Sequence, residues 1–128
     1  MKNTFKKAER LTKKKLIEEL FAKGSYFYLA PFKVVYLEEP SIQYHQVLIS
    51  VPKRIFKKAV TRNKLKRRIR EAYRLNKDDL QMKGKLLIGY IYTSKKVEKS
   101  DLIHQSLIKS LEKLNLSFSE EKQTPKVD

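Results

Sequence analysis

The chain has no cysteine, no tryptophan and only three glycines in 128 residues, and its acids are outnumbered more than two to one by bases. Without cysteine, disulfides, zinc-thiolate sites and thiol nucleophiles are excluded. No GxxxxGK[ST] loop, HExxH pair or other Gly-rich phosphate loop is present, so the usual nucleotide and zinc-protease motifs are excluded too. No stretch approaches the roughly 18 apolar residues that a membrane helix needs, and no apolar segment follows the N-terminal lysines. The expectation is a cytoplasmic chain with no membrane partner.

What is present is charge of one sign. Thirty Lys and Arg against 14 Asp and Glu give a formal +16 and a pI near 10.0. Such an excess predicts a phosphate-rich partner. Half of it lies in one stretch, Lys57 to Arg74, where nine cations face a single acid, Glu71. Leu65, Ile69, Ala72 and Tyr73 recur there at three- and four-residue steps, one side of a 3.6-residue helix. Lys64, Arg67, Arg68, Glu71 and Arg74 fall on the other side. Like charges at these spacings weaken an isolated helix by about 0.2–0.5 kcal/mol per pair. A sequence that stacks them has a polyanion to set against them. A lipid surface is a poor candidate, because the basic helix has no Trp, Phe or Leu face to bury.

A hydrophobic fraction of 41% supports one packed domain. Residues 1–10 read as a basic extended segment, residues 1–116 as a single α+β domain and 117–128 as a disordered tail. Thr12 is the expected N-cap of a first helix whose apolar face is Leu16, Ile17, Leu20 and Phe21, with Gly24 ending it. Pro31 to Leu37 alternates as a strand, and Gln46 to Val51 reads as a second. The short connection between them predicts an antiparallel pair. The basic helix follows, then a polar loop from Asn76 to Gly84. Lys85 to Tyr92, apolar on both faces, reads as a central strand. A last helix, capped by Ser100 or Asp101, places Leu102, Ile103, Leu107, Leu111 and Leu114 at helical spacing. The expected order is α-β-β-α-β-α around a small mixed sheet.

Catalytic equipment is sparse. Of two histidines, His104 reads as a helix-surface residue and His45 as solvent-exposed. The acid pairs Glu18-Glu19, Glu38-Glu39, Asp78-Asp79 and Glu120-Glu121 are scattered, whereas two-metal chemistry needs convergent carboxylates. The chain therefore offers no self-contained catalytic site and no metal ligands. Binding features are richer. Lys53 and Arg54, with Lys57 and Lys58, extend the basic surface ahead of the helix. Asn63 either caps the helix or bonds a sugar or base edge. Phe32, Val34 and Tyr36 share one face of a strand, near Ile17 and Phe21 in sequence. That face is either core or, if left open, a platform on which unpaired bases stack.

The run from Ala59 to Glu71, AVTRNKLKRRIRE, resembles the AVxRNRxKRxxRE signature of the bacterial ribonuclease P protein component. Ser50-Val51-Pro52-Lys53-Arg54 is similar to that family's Val-Ser-Lys-Lys segment, and Arg10-Leu11 and Leu20-Phe21-Ala22-Lys23-Gly24 to its first helix. The resemblance covers about residues 6 to 115. It implies an α+β fold with a left-handed βαβ crossover, where sequence reasoning alone leads to the right-handed form. It implies a noncatalytic protein subunit of an RNA-based endoribonuclease that removes the 5′ leader of precursor tRNA. The catalytic RNA and precursor tRNA would be its partners, with no obligate protein partner. No cofactor would be bound by the protein alone, and Mg²⁺ would sit in the RNA active site. By the same resemblance Arg62, Asn63, Lys64, Lys66, Arg67, Arg68 and Arg70 would face RNA, and Ile17, Phe21, Phe32, Val34, Tyr36 and Ser50 would line a leader-binding cleft.

The chain departs from the family pattern at Lys64, which loses the bidentate fork of arginine, at Pro52, which removes a donor, and at Ile17, where some members carry an aromatic. The rival readings are a noncatalytic ribosomal or other structural RNA-binding protein, a DNA-binding module and, last, a self-sufficient nuclease.

Overall fold

The computed structural model describes residues 5–123. Expectations for residues 1–4 of the basic segment and 124–128 of the tail lie outside the described residues. After a 3-10 turn at Lys7–Glu9, the elements are α1 (Lys14–Lys23), β1 (Ser25–Leu29), β2 (Phe32–Glu38), β3 (Gln46–Ser50), α2 (Ala59–Asn76), a second 3-10 turn (Lys77–Asp79), β4 (Leu86–Tyr92) and α3 (Ser100–Gln123). The chain is α+β, as its pattern predicts, with one strand more than expected.

The extra strand is β1, which pairs antiparallel with β2 in register from Ser25↔Tyr36 to Leu29↔Phe32. The turn between them carries a cis Ala30–Pro31 bond. It is tied down by Thr93, whose backbone N–H and hydroxyl both donate to Pro31 O, and by Ser106 Oγ donating to Ala30 O.

The sheet order is β1-β2-β4-β3, which corrects the expected hairpin between the second and third strands. β4 lies between them, antiparallel to β2 and parallel to β3. Burial decides this. Six of the seven β4 residues are buried, so the strand is apolar on both faces and costs least in the middle of a covered sheet. β3, α2 and β4 form a parallel βαβ unit.

Alternation along the strands sends side chains to two faces. One face carries Phe32, Val34, Val47, Ile88, Tyr90 and Tyr92, packed against Leu65, Ile69 and Tyr73 of α2 and Ile103, Leu107 and Leu111 of α3. The other carries Val35 and Leu87, packed with Leu11 and Leu20 beneath α1. The molecule is three layers deep: α1, the sheet, then α2 with α3.

The helix ends differ from their sequence signatures. Lys13, not Thr12, is the N-cap of α1, with no side-chain cap. Ser100 and Asp101 lie inside the first turn of α3, and Ile103 N–H bonds back to Lys99 O. Gly24 does end α1, at an ordinary φ of −72°. Glycine is needed there for space: a Cβ would lie 2.5 Å from Leu20 O and 2.9 Å from Tyr36 O. α3 runs on to Gln123, past the boundary expected at Ser117, and Phe118 packs edge-on against Tyr36. Leu102, placed on the apolar stripe by spacing, is 40% exposed.

Candidate nucleic-acid interface

α2 buries the residues its periodicity marks: Leu65, Ile69, Ala72 and Tyr73. With that stripe turned to the core, Arg67 points almost directly away, flanked by Lys64 and Arg70 at three-residue steps. All three are exposed, as are Asn63 and Val60. Lys53, Arg54, Lys57 and Lys58, on the segment leading into the helix, are exposed too. None of these seven side chains has a hydrogen bond or ion pair with another described residue. They form a cationic ridge whose self-repulsion no ion pair among the described residues offsets.

Not every cation of the motif is available in this way. Arg62 turns back along the helix and donates to Phe56 O at 2.9 Å and Lys57 O at 2.8 Å. It satisfies carbonyls of the entry loop at a helix start whose N-cap, Lys58, supplies no side-chain cap. Asn63 is not that cap: it lies in the second turn, exposed. Arg68 donates to Glu98 O at 2.7 Å and so clamps the connection between β4 and α3 onto α2. Glu98 N–H in turn donates to Tyr92 Oη. Arg74 pairs with Glu71 at 2.6 Å, holding that carboxyl below its ordinary pKa. The motif thus has two classes of arginine, one bonded to the fold and one presented to solvent. The half-buried Lys66 lies between the two.

The aromatic cleft expected from sequence is not a single surface. Phe32 and Val34 are 0% exposed in the core facing α2 and α3, and Tyr36 is half-buried there between Phe27 and Phe118. Ile17 and Phe21 belong to α1, on the opposite face of the sheet. The cause is strand parity, because a shift of one residue exchanges faces. The β2 residues that share the α1 face are Lys33, Val35 and Leu37.

On that face α1 covers only part of the sheet. The register places Tyr28, Lys33, Ile91 and Ser50 side by side across all four strands, and Tyr26, Val35, Gly89 and Leu48 in the next row. Phe21 is 48% exposed, Tyr26 58% and Tyr28 66%. Lys33 Nζ lies 4.5 Å from the Tyr26 ring centre and 5.8 Å from that of Tyr28, a cation over two aromatic faces. A Cβ at Gly89 would be 3.8 Å from Phe21 Cζ, so the ring of Phe21 lies close over that bare stretch of backbone. Phe21, Ile17 and Ser50, three of the residues expected for a cleft, do share this partly open face. Sequence reasoning missed Tyr26 and Tyr28 because β1 was not recognised, and Lys33 of β2 because the candidate cleft was placed on the opposite face of that strand. The signal was present in Ser25–Leu29, SYFYL, where three consecutive aromatics favour a strand.

His45, expected to be solvent-exposed, is half-buried. Its Nδ1 accepts the Leu86 N–H at 3.0 Å, joining the start of β3 to the start of β4. Burial, with a smaller contribution from Lys85, lowers its pKa to about 4. Among the described residues no group of three or more acids and histidines lies close enough to hold a metal ion, and no helix is long and apolar enough to cross a membrane.

Comparison with known proteins places this geometry. The family model described as "Ribonuclease P" matches residues 5–115. The chain is 33% identical over 135 residues to the ribonuclease P protein component of Chlorobium phaeobacteroides, covering 90% of each. It is 45% identical over 73 residues to that of Porphyromonas gingivalis, a match that spans 53% of that relative's length. The solved ribonuclease P protein of Staphylococcus aureus superposes with a TM-score of 0.68 at 27% identity, covering 84% of this chain and 95% of that one. The one from Thermotoga maritima superposes at 0.70 and 25% identity, covering 82% and 96%. The chain belongs to the ribonuclease P protein family.

Proposed function

We propose that this chain is the noncatalytic protein subunit of ribonuclease P, the ribonucleoprotein that removes the 5′ leader of precursor tRNA. The observation that carries the reading is the ridge of Lys64, Arg67 and Arg70, continued by Lys53, Arg54, Lys57 and Lys58, whose side chains have no partner among the described residues. Such a ridge suits the phosphates of a folded RNA, which supplies counter-charge to it. In this reading the ridge docks on the catalytic RNA and the α1 face receives the single-stranded leader. Phe21, Tyr26 and Tyr28 provide ring surfaces for unstacked bases, and Lys33 a cation for the backbone. Catalysis and its Mg²⁺ ions belong to the RNA, and the complex works in the cytoplasm.

Reconstitution tests this directly. The protein is added to its cognate ribonuclease P RNA at limiting Mg²⁺ and leader removal from precursor tRNA is followed. Faster cleavage at lower Mg²⁺ is expected. Unchanged cleavage would refute the assignment, and cleavage by the protein alone would place the chemistry in the chain.

A further inference from the structure

The connection between β4 and α3, Thr93 to Lys99, carries three lysines: Lys95, Lys96 and Lys99. All three are exposed, and their side chains have no hydrogen bond or ion pair with another described residue. Of the two acids nearby, the Glu98 carboxylate is engaged within the loop, accepting from Ser94 Oγ at 3.0 Å. Asp101 lies in the first turn of α3, where an acid suits the positive end of the helix.

A lysine-bearing connection is ordinarily a solvated and mobile one. This one is fastened along its length. Ser94 Oγ accepts the Lys96 N–H at 3.0 Å. The Tyr92 hydroxyl, at the end of β4, accepts the Glu98 N–H at 2.9 Å and donates to Lys96 O. At one end Thr93 reaches Pro31 O in the β1–β2 turn, its N–H donating at 2.7 Å and its hydroxyl at 3.0 Å. Near the other end Arg68 of α2 donates to Glu98 O at 2.7 Å. Fixing the backbone of one residue costs roughly 1–2 kcal/mol. Five of these seven residues are exposed, so hydrogen bonds and not apolar burial offset that cost here.

The placement of the loop gives its order a use. Arg68 follows Arg67 in the helix and stands one turn from Lys64, and both of those are cations of the ridge. The guanidinium that meets Glu98 O therefore brings the lysine loop alongside the ridge. The Thr93 end joins the turn that follows Tyr28 and precedes Lys33, two residues of the open α1 face. The loop thus runs between the two surfaces assigned to RNA, and it presents point charges that suit phosphates.

We propose that Lys95, Lys96 and Lys99 form a further phosphate-contacting surface for RNA, continuous with the ridge, and that Arg68 is a positioning residue that holds this surface against α2. The inference rests on the ribonuclease P reading above, and it assigns Arg68 to the loop where the signature resemblance assigns it to RNA. The phosphates belong either to the catalytic RNA or to precursor tRNA.

Two binding measurements across a range of salt concentrations test this: the protein with its cognate ribonuclease P RNA, and precursor tRNA with the assembled holoenzyme. The variant combines Lys95→Ala, Lys96→Ala and Lys99→Ala, all at exposed positions. In one of the two measurements it should lower the slope of log affinity against log salt by about two to three, and that measurement identifies the RNA. Arg67→Ala, run alongside, reports on the ridge. An unchanged slope for the triple variant in both measurements, with Arg67→Ala still lowering its own, overturns the proposal and leaves the ribonuclease P reading standing. Unchanged slopes for both variants overturn the two together. Arg68→Ala tests the positioning role. Alone it should lower the same slope by about one or more; added to the triple variant it should lower it no further, because the loop then has no lysine to place. A further drop of about one in that background would make Arg68 a direct phosphate contact and overturn its positioning role. The triple variant decides the loop assignment whether or not Arg68→Ala folds.

Discussion

His45 carries two features that only tertiary contact creates: an acceptor bond from a strand 41 residues away and a pKa lowered to about 4. Nothing local marks it, since its neighbours Tyr44 and Gln46 are polar and the partner amide belongs to β4. Because its folded pKa lies below the unfolded value near 6.5, the neutral ring stabilises the fold above about pH 6.5. That contribution is lost as pH falls toward 4. With solvent screening of a partly exposed ring, the loss is roughly 1–2 kcal/mol. Urea denaturation at pH 7 and pH 4.5 should show this drop in the parent. His45→Gln, whose carbonyl can still accept the amide but does not titrate, should show a smaller one. Equal drops would mean that the acid sensitivity arises elsewhere.

The elements most legible in the sequence are those with a clean period and a one-sided environment. α2 shows its buried stripe residue for residue, and β4 shows by its doubly apolar pattern that it occupies the middle of the sheet. β1 was hidden because Tyr26, Phe27 and Tyr28 are aromatic on both faces, so alternation gives no sign. The division of labour among the arginines of α2 was hidden for another reason: Arg68 meets Glu98 O across 30 residues, and no helical period encodes that. This division makes a prediction for the helix as a unit. Arg67→Ala should leave the melting temperature within about 2 °C and lower the slope of log affinity for RNA against log salt by about one. Arg62→Ala, which frees Phe56 O and Lys57 O, should lower stability by about 1–2 kcal/mol in thermal or urea unfolding. If both variants changed only the salt slope, Arg62 would belong to the presented class.

At the scale of the molecule, the sequence conveyed the α+β class but not which sheet face is open, because a face is a property of layers. α2 and α3 together cover one side, whereas the ten-residue α1 covers only part of the other. Aromatics at even positions of β2 are therefore core, and Tyr26 and Tyr28 of β1 with Phe21 of α1 are accessible. Phe21→Ala should weaken binding of precursor tRNA to the holoenzyme about fivefold or more while leaving mature tRNA nearly unaffected. Tyr36→Ala should lower stability and affect both tRNAs alike. Comparative binding of the two tRNAs to each variant checks this, and a leader-selective loss at Tyr36 would restore the parity first read from the strand.

The position of β4 also sets the order in which the chain can become a sheet. β1 and β2 are joined by a tight turn and meet locally, but β3 has a single strand neighbour, and that strand arrives 35 residues after β3 ends. As the chain emerges from a ribosome, a hairpin can form early, while β3 and the apolar stripe of α2 wait without a surface to close on. Once Leu86 to Tyr92 is available, one strand joins both halves at once. The domain's cooperativity is thus concentrated in seven residues near its C-terminal side, and a nascent chain stopped before them has two fragments where the finished one has a sheet.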